Sequence, residues 1–309
     1  MRRYLAITGG VGGAKLGLGL SRLLDAQQLV FAVNTGDDFD HLGWHISPDV
    51  DTLTYTLSQL ANPELGWGRH DESWHFMDTL EALGGETWFR LGDRDLALHT
   101  LRSDMLRSGA TLTQATRHIA SRLGIEHHIY PMSDDPVRTT VLTEEGPLAF
   151  QHYFVRDRCR PKVSGFEFTG IELASLNPAL EDLLPSFSGI IICPSNPFVS
   201  VDPLLKLPGV RETLKAAAAP VVAVSPVIDG KAIKGPTTKM MRELNVPATA
   251  AEVAAHYGDL LDGFVLDELD AAVHGTLAVP TVVAQTVMVS LQDRIDLAAE
   301  TLKFVDSLN

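Results

Sequence analysis

Cysteine is nearly absent: Cys159 and Cys193 are the two in 309 residues. Two thiols make neither a disulfide framework nor a cysteine metal cluster, so a reduced, cytoplasmic compartment is expected. Positive charge is scarce as well. Against 39 Asp and Glu stand 25 Lys and Arg, a formal net charge of -14. That balance argues against nucleic-acid or anionic-membrane binding, so any phosphate site must be built from local groups. No apolar run is long enough to span a bilayer, and no membrane partner is expected. The start, Met1-Arg2-Arg3-Tyr4-Leu5, faintly suggests a secretion signal. Glycines and Lys15 break the apolar stretch that follows, and no small-residue cleavage site comes after it. A Gly-x-Ser-x-Gly nucleophile elbow is missing, the eleven histidines show no metal-ligand spacing, and there are no internal repeats.

What is present points to a large α/β core. Tyr4–Thr8 reads as a short buried strand. A helix follows with Leu16, Leu20, Leu23 and Leu24 on one face, and Leu29–Asn34 reads as a second buried strand. Strand, glycine turn, helix and strand in that order favour a parallel sheet with right-handed crossovers. Continuous apolar runs return at Gly189–Cys193, Val221–Ser225, Phe264–Leu266 and Thr281–Ala284, as in strands buried on both faces. A helix at Ala251–Tyr257 is expected to end at Gly258. The closing helix sets Leu291, Ile295, Ala298, Leu302 and Val305 on one stripe. Between Asn62 and about Pro185 lie three of the four tryptophans, several helices and a hairpin pairing Thr139–Thr143 with Leu148–Val155. The expected architecture is a doubly wound, Rossmann-like parallel sheet formed by 1–61 and 186–309. A mixed α+β insertion, 62–185, forms a cap on it.

Four stretches carry chemistry. The first is Thr8-Gly9-Gly10-Val11-Gly12-Gly13-Ala14-Lys15. A dinucleotide fingerprint starting at Gly10 and Gly12 would need glycine where Lys15 stands. A P-loop would need Gly-Lys-Ser/Thr, and Ala14-Lys15-Leu16 replaces it. Glycines before a helix N-terminus still suit phosphate, although a tight strand-to-helix turn alone would also use them. The second stretch, Asn34-Thr35-Gly36-Asp37-Asp38, lies at the carboxyl end of the second strand. The third, Ser47-Pro48-Asp49-Val50-Asp51, opens a helix. Carboxylates beside a phosphate loop would repel an anion unless Mg2+ is shared between them; helix capping is the plainer use of Asp49 and Asp51. The fourth stretch comprises two polar loops: Pro194-Ser195-Asn196-Pro197, suited to a base, ribose or phosphate, and Asp229-Gly230-Lys231-Ala232-Ile233-Lys234, a local anion site or a solvated turn. Cys159 and Cys193 are expected to be inert. The residues alone give a nucleotide- or phosphate-binding α/β enzyme that uses Mg2+, with the substrate open.

Separated stretches in order, "TGGVGGAKL", "NTGDDFDHLGWHISPDVDTLTYTL", "WFRLGDRDLALH", "PMSDDPVRT", "FQHYFVRDRC", "PSNPFVS" and "IKGPTTKMM", give the chain its resemblance to a known family. Over nearly its whole length it resembles the 2-phospho-L-lactate transferases of coenzyme F-420 biosynthesis. The resemblance implies a Rossmann-like core, a homodimer and a transfer to the deazaflavin alcohol Fo. The donor would be a guanylylated phospho-acid; the ribityl hydroxyl of Fo would attack the phosphate bearing the acid, and GMP would leave. Phospholactate, phosphoenolpyruvate and phosphoglycerate are all possible acids. By resemblance Asp38 and Asp51 are the catalytic metal ligands, supported by Asp37 and Asp49, and one of these carboxylates is an alternative proton acceptor. Gly10, Gly12 and Gly13, with Lys15, Asn34 and Lys231, would face the donor. Ser195 and Asn196 would face guanosine; Gly92, Asp93 and Met132 to Arg138 would line the deazaflavin pocket.

A second class is a nucleotide-sugar-binding regulator with the same glycine loop and no transferase activity. The stretches "WFRLGDRDLALH" and "FQHYFVRDRC" favour the transferase. A nicotinamide dehydrogenase is disfavoured by the failed fingerprint.

Overall fold

The computed structural model describes residues 1–63 and 67–309, so residues 64–66 of the expected cap lie outside the description. Strand β1 (Tyr4–Thr8) runs through Gly9 into helix α1 (Gly10–Leu23), and β2 (Leu29–Val33) returns. A small antiparallel hairpin, β3 (Phe39–His41) with β4 (Trp44–Ile46), precedes helix α2 (Pro48–Leu57). Helices α3 (His75–Ala82), α4 (Asp93–Arg107) and α5 (Leu112–Arg122) lead to β5 (His128–Pro131). An antiparallel sheet of β6 (Arg138–Thr143), β7 (Gly146–Ala149) and β8 (Val163–Thr169) follows, then α6 (Pro178–Leu183). The chain continues through β9 (Gly189–Ile192), α7 (Asp202–Leu205), α8 (Val210–Ala216) and β10 (Val221–Val224). A short ribbon, β11 (Val227–Ile228) with β12 (Lys231–Ala232), precedes α9 (Thr237–Glu243) and α10 (Ala250–Tyr257). The last elements are β13 (Gly263–Asp267), β14 (Thr281–Ala284) and α11 (Leu291–Ser307).

Among the described residues, seven parallel strands form the central sheet in the order β14-β13-β10-β9-β1-β2-β5. The chain winds outward from β1 in one direction, then returns to β9 and winds outward in the other. This is the doubly wound order expected from the sequence, and its switch point lies between β1 and β9. The alternation of strand side chains explains why these runs are apolar throughout. Leu5, Ile7, Ile190 and Ile192 pack into a core on one face. Tyr4, Ala6, Ile191 and Cys193 pack into a second core on the other. Successive side chains point to opposite faces, and helices cover both, so neither face tolerates polar residues. Each fully buried Leu or Ile contributes about 1.5–3 kcal/mol relative to exposure.

Three expectations change in detail. Strand β5 comes from within 62–185 yet pairs with β2 in the main sheet, so that segment is not wholly a cap. The hairpin's second arm ends at Ala149, because Phe150 and Tyr153 are both buried in the core, a spacing of three that a strand cannot supply. Beyond it, β8 adds an unforeseen third strand against β6. On α11 the buried face is Leu297, Ala298, Thr301 and Val305, while Leu291 is exposed.

Helix α1 sits closely against α11 because Gly19 has no side chain; a Cβ there would overlap the Arg294 carbonyl. Gly19→Ala gains up to about 1 kcal/mol of helix propensity but forces the helices apart, an overpacking cost of about 1–3 kcal/mol. The variant should therefore unfold at lower urea than the parent. An unchanged midpoint would show that α11 moves without cost.

Candidate active site

The carboxyl ends of β1, β2, β9 and β10 open onto a cavity of about 630 Å3. The register aligns Ile7 with Ala32 and with Ile192, so the loops after these strands emerge side by side. Ligands of open α/β sheets bind at this kind of switch point.

The glycine loop is built by close approach as much as by backbone freedom. Gly10 has φ +64, the left-handed region that glycine tolerates, and its N–H donates to Asp49 Oδ1 at 2.7 Å. A Cβ on Gly12 would overlap the Pro194 carbonyl, and one on Gly13 would overlap Thr8 Oγ1 and Ser195 Oγ. These two glycines thus seat the loop against the β9 loop. Gly9, Gly10 and Gly12 line the cavity, but Gly13 is not among its lining residues. Ser195 Oγ staples the two loops, donating to Gly9 O at 2.8 Å and accepting from Gly9 N at 3.2 Å. Gly9, the residue before α1, has no side chain to cap it and the first turn holds no acidic residue, so the Gly10 N–H is met by Asp49 from α2.

One wall of the cavity is acidic. Asp37, Asp38, Asp49 and Asp51 are all buried, and all but Asp38 line the cavity. Asp49 accepts from Gly10 N and, through Oδ2, from Asn34 Nδ2 at 2.9 Å. Burial pushes its carboxyl up to about 6, further raised by Asp38 and opposed by those two hydrogen bonds. Burial also pushes Asp37 well above the usual range, and the charge of Asp49 adds to it. Asp38 lies behind the wall, accepting from Ser47 Oγ at 2.6 Å, with His45 Nε2 at 3.1 Å. One oxygen each of Asp37 and Asp38 is buried without a partner. Asp51 differs: both its oxygens accept from the Arg102 guanidinium, which is 1% exposed. A carboxylate held this way is committed to an internal ion pair rather than to a metal.

Residues that motif reading did not select complete this wall. Tyr55, Asp95 and His99 line the cavity beside Asp51, with Arg102 behind it. Tyr55 Oη donates to Asp95 Oδ1, and His99 lies between Asp51 and Asp95. Burial alone would raise the Asp95 carboxyl. His99, the Tyr55 hydroxyl and Arg102 together outweigh burial and hold it below the usual range. The signal was helical spacing: Asp51 and Tyr55 are four apart, as are Asp95 and His99, with Arg102 three further on.

Basic residues belong to the same lining. Lys15 and Lys234 both line the cavity. Lys15 Nζ donates to Met288 O at 2.7 Å; burial lowers its amine, and Arg294 and Lys234 lower it further. Lys231, selected from the sequence along with Lys15, has an 80% exposed side chain and pairs with Asp229 instead. Ser195 and Asn196 line the cavity, whereas Asn34 is buried behind it, bridging Asp49 and Val199 O. The expected deazaflavin residues lie elsewhere. Asp93 accepts from Ser73 Oγ and from the N–H groups of His75 and Phe76, fixing the start of α3, and Gly92 packs against Glu72. Met132 is in the main core, and Arg138 donates to Val137 O. The aromatic lining comes from Phe89, Phe150, Phe154 and Trp67, with Phe150 and Phe154 stacked at 5.5 Å.

The chain matches known proteins over nearly its whole length. A family model described as "2-phospho-L-lactate transferase CofD" matches residues 5–298. The 2-phospho-L-lactate transferase of Methanosarcina mazei is 39% identical over 268 residues, covering 87% of this chain and 88% of its own. A phosphoenolpyruvate transferase of Mycobacterium sp. (strain KMS) is 36% identical over 295 residues, covering 87% and 89%. Among solved structures, a UPF0052-family protein of Bacillus halodurans superposes with a TM-score of 0.64, covering 98% of this chain and 99% of that one at 15% identity, a likeness of fold. By the extent of the family match and by these relatives, the chain belongs to the 2-phospho-L-lactate transferase CofD family of coenzyme F-420 biosynthesis.

Proposed function

We propose that this protein joins a phospho-acid to the terminal ribityl hydroxyl of the deazaflavin Fo, using the guanylylated acid as donor and releasing GMP. The observation that carries this reading is that one cavity is lined both by the glycine loop with Lys15 and Lys234 and by aromatic rings, with Asp49 bonded to that loop at Gly10. A diphosphate-bridged donor suits the first and a flat ring with an alcohol chain suits the second. The loop at Gly10–Gly12, the α1 N-terminus, Lys15 and Lys234 hold the diphosphate. Ser195 and Asn196 face the nucleoside, and Phe89, Phe150, Phe154 and Trp67 take the deazaflavin rings.

Mg2+ fits as a guest of Asp37 and Asp49. Among the described residues no three His, Cys, Asp or Glu side chains converge on a ready-made metal cluster. Mg2+ rarely needs one, because it takes one or two carboxylates and fills its remaining positions with water and substrate phosphate. The unpartnered oxygen of Asp37, beside the buried carboxyl of Asp49, supports this reading. When bound, the ion would neutralise phosphate charge as it builds on the leaving group. The chain's own contribution is positioning: attacking hydroxyl and phosphorus are brought together on fixed loops, which is most of what such transfers require.

Turnover of Fo with Mg2+ and three donors offered separately (lactyl, enolpyruvyl and glyceryl) should yield a deazaflavin phosphodiester and matched GMP from at least one, read by mass. No product, with Fo unbound and a nucleotide sugar bound, would favour the regulator instead. Lys234→Ala should raise the donor KM by roughly tenfold or more, the loss of one charge-assisted contact, while Lys231→Ala stays within about twofold. Equal effects would contradict the placement.

Asp49→Asn separates activity from stability. Its carboxyl is raised in the folded protein, from an unfolded value of about 3.9 to about 6. The protonated form is favoured by folding, so its stabilisation is complete below the unfolded value and lost as pH rises through about 6. With chelator present, the asparagine variant should gain Tm over the parent as pH rises from 4 to 7, while losing Mg2+-dependent turnover. A Tm difference independent of pH would refute the burial of a charged Asp49.

A further inference from the structure

The loop between α3 and α4 brings an arginine to the cavity and leaves it only loosely paired. Arg90 directly follows Phe89 in that loop, and both residues line the cavity. Beneath them is an apolar cluster of Ile46, Met77, Leu91 and Leu96, against which Trp74 and Phe89 pack. On this footing the Arg90 guanidinium lies over the Trp74 ring, with Cζ 4.7 Å from the ring centroid. Its carboxylate contact among the described residues is Asp78 of α3 at 3.5 Å, and the two side chains are 54% and 68% exposed. A pair so open to water is worth little. Stacking engages the face of a guanidinium and leaves the N–H fork at its edge. Arg90 therefore adds an accessible fork of donors to the lining, held on an aromatic platform.

The other charges of the lining are the carboxylates of Asp37, Asp49, Asp51 and Asp95, with His99 beside them, and the amines of Lys15 and Lys234. Lys15 and Lys234 act on each other, and Lys15 lies in the helix that the glycine loop opens. Arg90 instead sits next to Phe89, a ring assigned above to the deazaflavin. The side chain of the next residue is long enough to reach the edge of a flat ligand laid against Phe89. That edge carries chemistry. A deazaflavin of the Fo type has a ring hydroxyl conjugated to the carbonyls of its pyrimidine-dione, so its anion spreads charge over oxygens at both edges. A nearby cation favours the charged form of such a group, and a planar fork suits planar oxygen acceptors. The lining carboxylates work the other way and favour the neutral ring.

We propose that Arg90 takes the oxygen edge of the deazaflavin ring and stabilises its ionised form. This inference rests on the transferase reading above and adds to it recognition of the ring's charge state. It concerns the ring and not the alcohol that is attacked.

The test follows the visible absorbance of Fo, at saturating protein, as pH is raised through the ring's ionisation. Arg90→Gln should move the midpoint of bound Fo up by about one unit relative to the wild type, the loss of one opposite charge. Arg90→Lys, which keeps the charge and loses the planar fork, should fall between the two. Where free Fo is ionised, Arg90→Gln should raise the Fo KM roughly tenfold, the equivalent of one unit, and leave the donor KM within about twofold. A raised donor KM with the Fo midpoint unmoved would assign Arg90 to the donor and overturn the proposal. Wild-type turnover of Fo with the same midpoint in wild type and Arg90→Gln would overturn it too, and leave the transferase reading standing. A wild type that binds the donor but not Fo would overturn both.

Discussion

Four aspartates are buried in one wall of the cavity, and the cost of keeping that much negative charge out of water organises the whole site. A buried carboxylate without compensation costs several kcal/mol. The wall relieves this in a graded way. Asp51 receives a full cation, Arg102. Asp38 receives a hydroxyl and an imidazole nitrogen, and Asp49 a backbone N–H and an amide. Asp37 keeps a buried oxygen with no partner. Compensation is thus most complete beside α4 and least complete at Asp37, with Asp49 bonded directly to the glycine loop. The charge left over is concentrated where a phosphate-bearing ligand and a divalent cation would arrive together.

Arg102 matters for geometry more than for net stability. Buried ion pairs seldom outperform well-packed apolar residues, but removing one partner strands the other and costs about 3–5 kcal/mol. The pair also ties elements together. Arg102 reaches toward His45 O at 3.5 Å, and His45 N donates to Ser103 Oγ at 2.8 Å, so α4 is bound to the β3–β4 hairpin at the point where it meets α2. Asp38, held by His45 and Ser47, is the far anchor of the same assembly. Its role is to place the hairpin that carries Ile46 into the cavity wall.

The fold was legible because its strands are buried on both faces: runs such as Gly189–Ile192 have no polar position to confuse with a loop. Strand β5 was harder to place, since His128-Ile129-Tyr130-Pro131 is at the sheet edge and carries polar residues and a proline that an edge tolerates. Motif reading found the glycine loop, Asp37, Asp49, Ser195 and Asn196 because chemistry there is concentrated in short stretches. Asp95 and His99 fall within the quoted stretch WFRLGDRDLALH but were not picked out as site residues, and Arg102 lies beyond it, because the three are spread over two turns of a helix far along the chain from their partner Asp51. Lys231 and Lys234 illustrate the limit of composition: three residues apart in one loop, they share a sequence environment, yet only Lys234 lines the cavity. Gly12 and Gly13 were correctly singled out as glycines with a purpose, but that purpose is contact with Pro194 and Ser195.

The mixed charge of the cavity has a further consequence. In a partly enclosed site the effective dielectric is well below that of water, so Coulomb terms of a few kcal/mol persist over several ångströms. Lys15 and Lys234 would attract a phosphate in this cavity, while Asp37 and Asp49 would repel it unless a cation were shared with them. Under the proposed function, a polyanionic donor without an ion would meet both signs of charge at once, because Asp49 is bonded to the glycine loop itself. The same donor carrying a divalent ion would lose that repulsion, so the mixed lining would favour a donor and a cation arriving together over either alone.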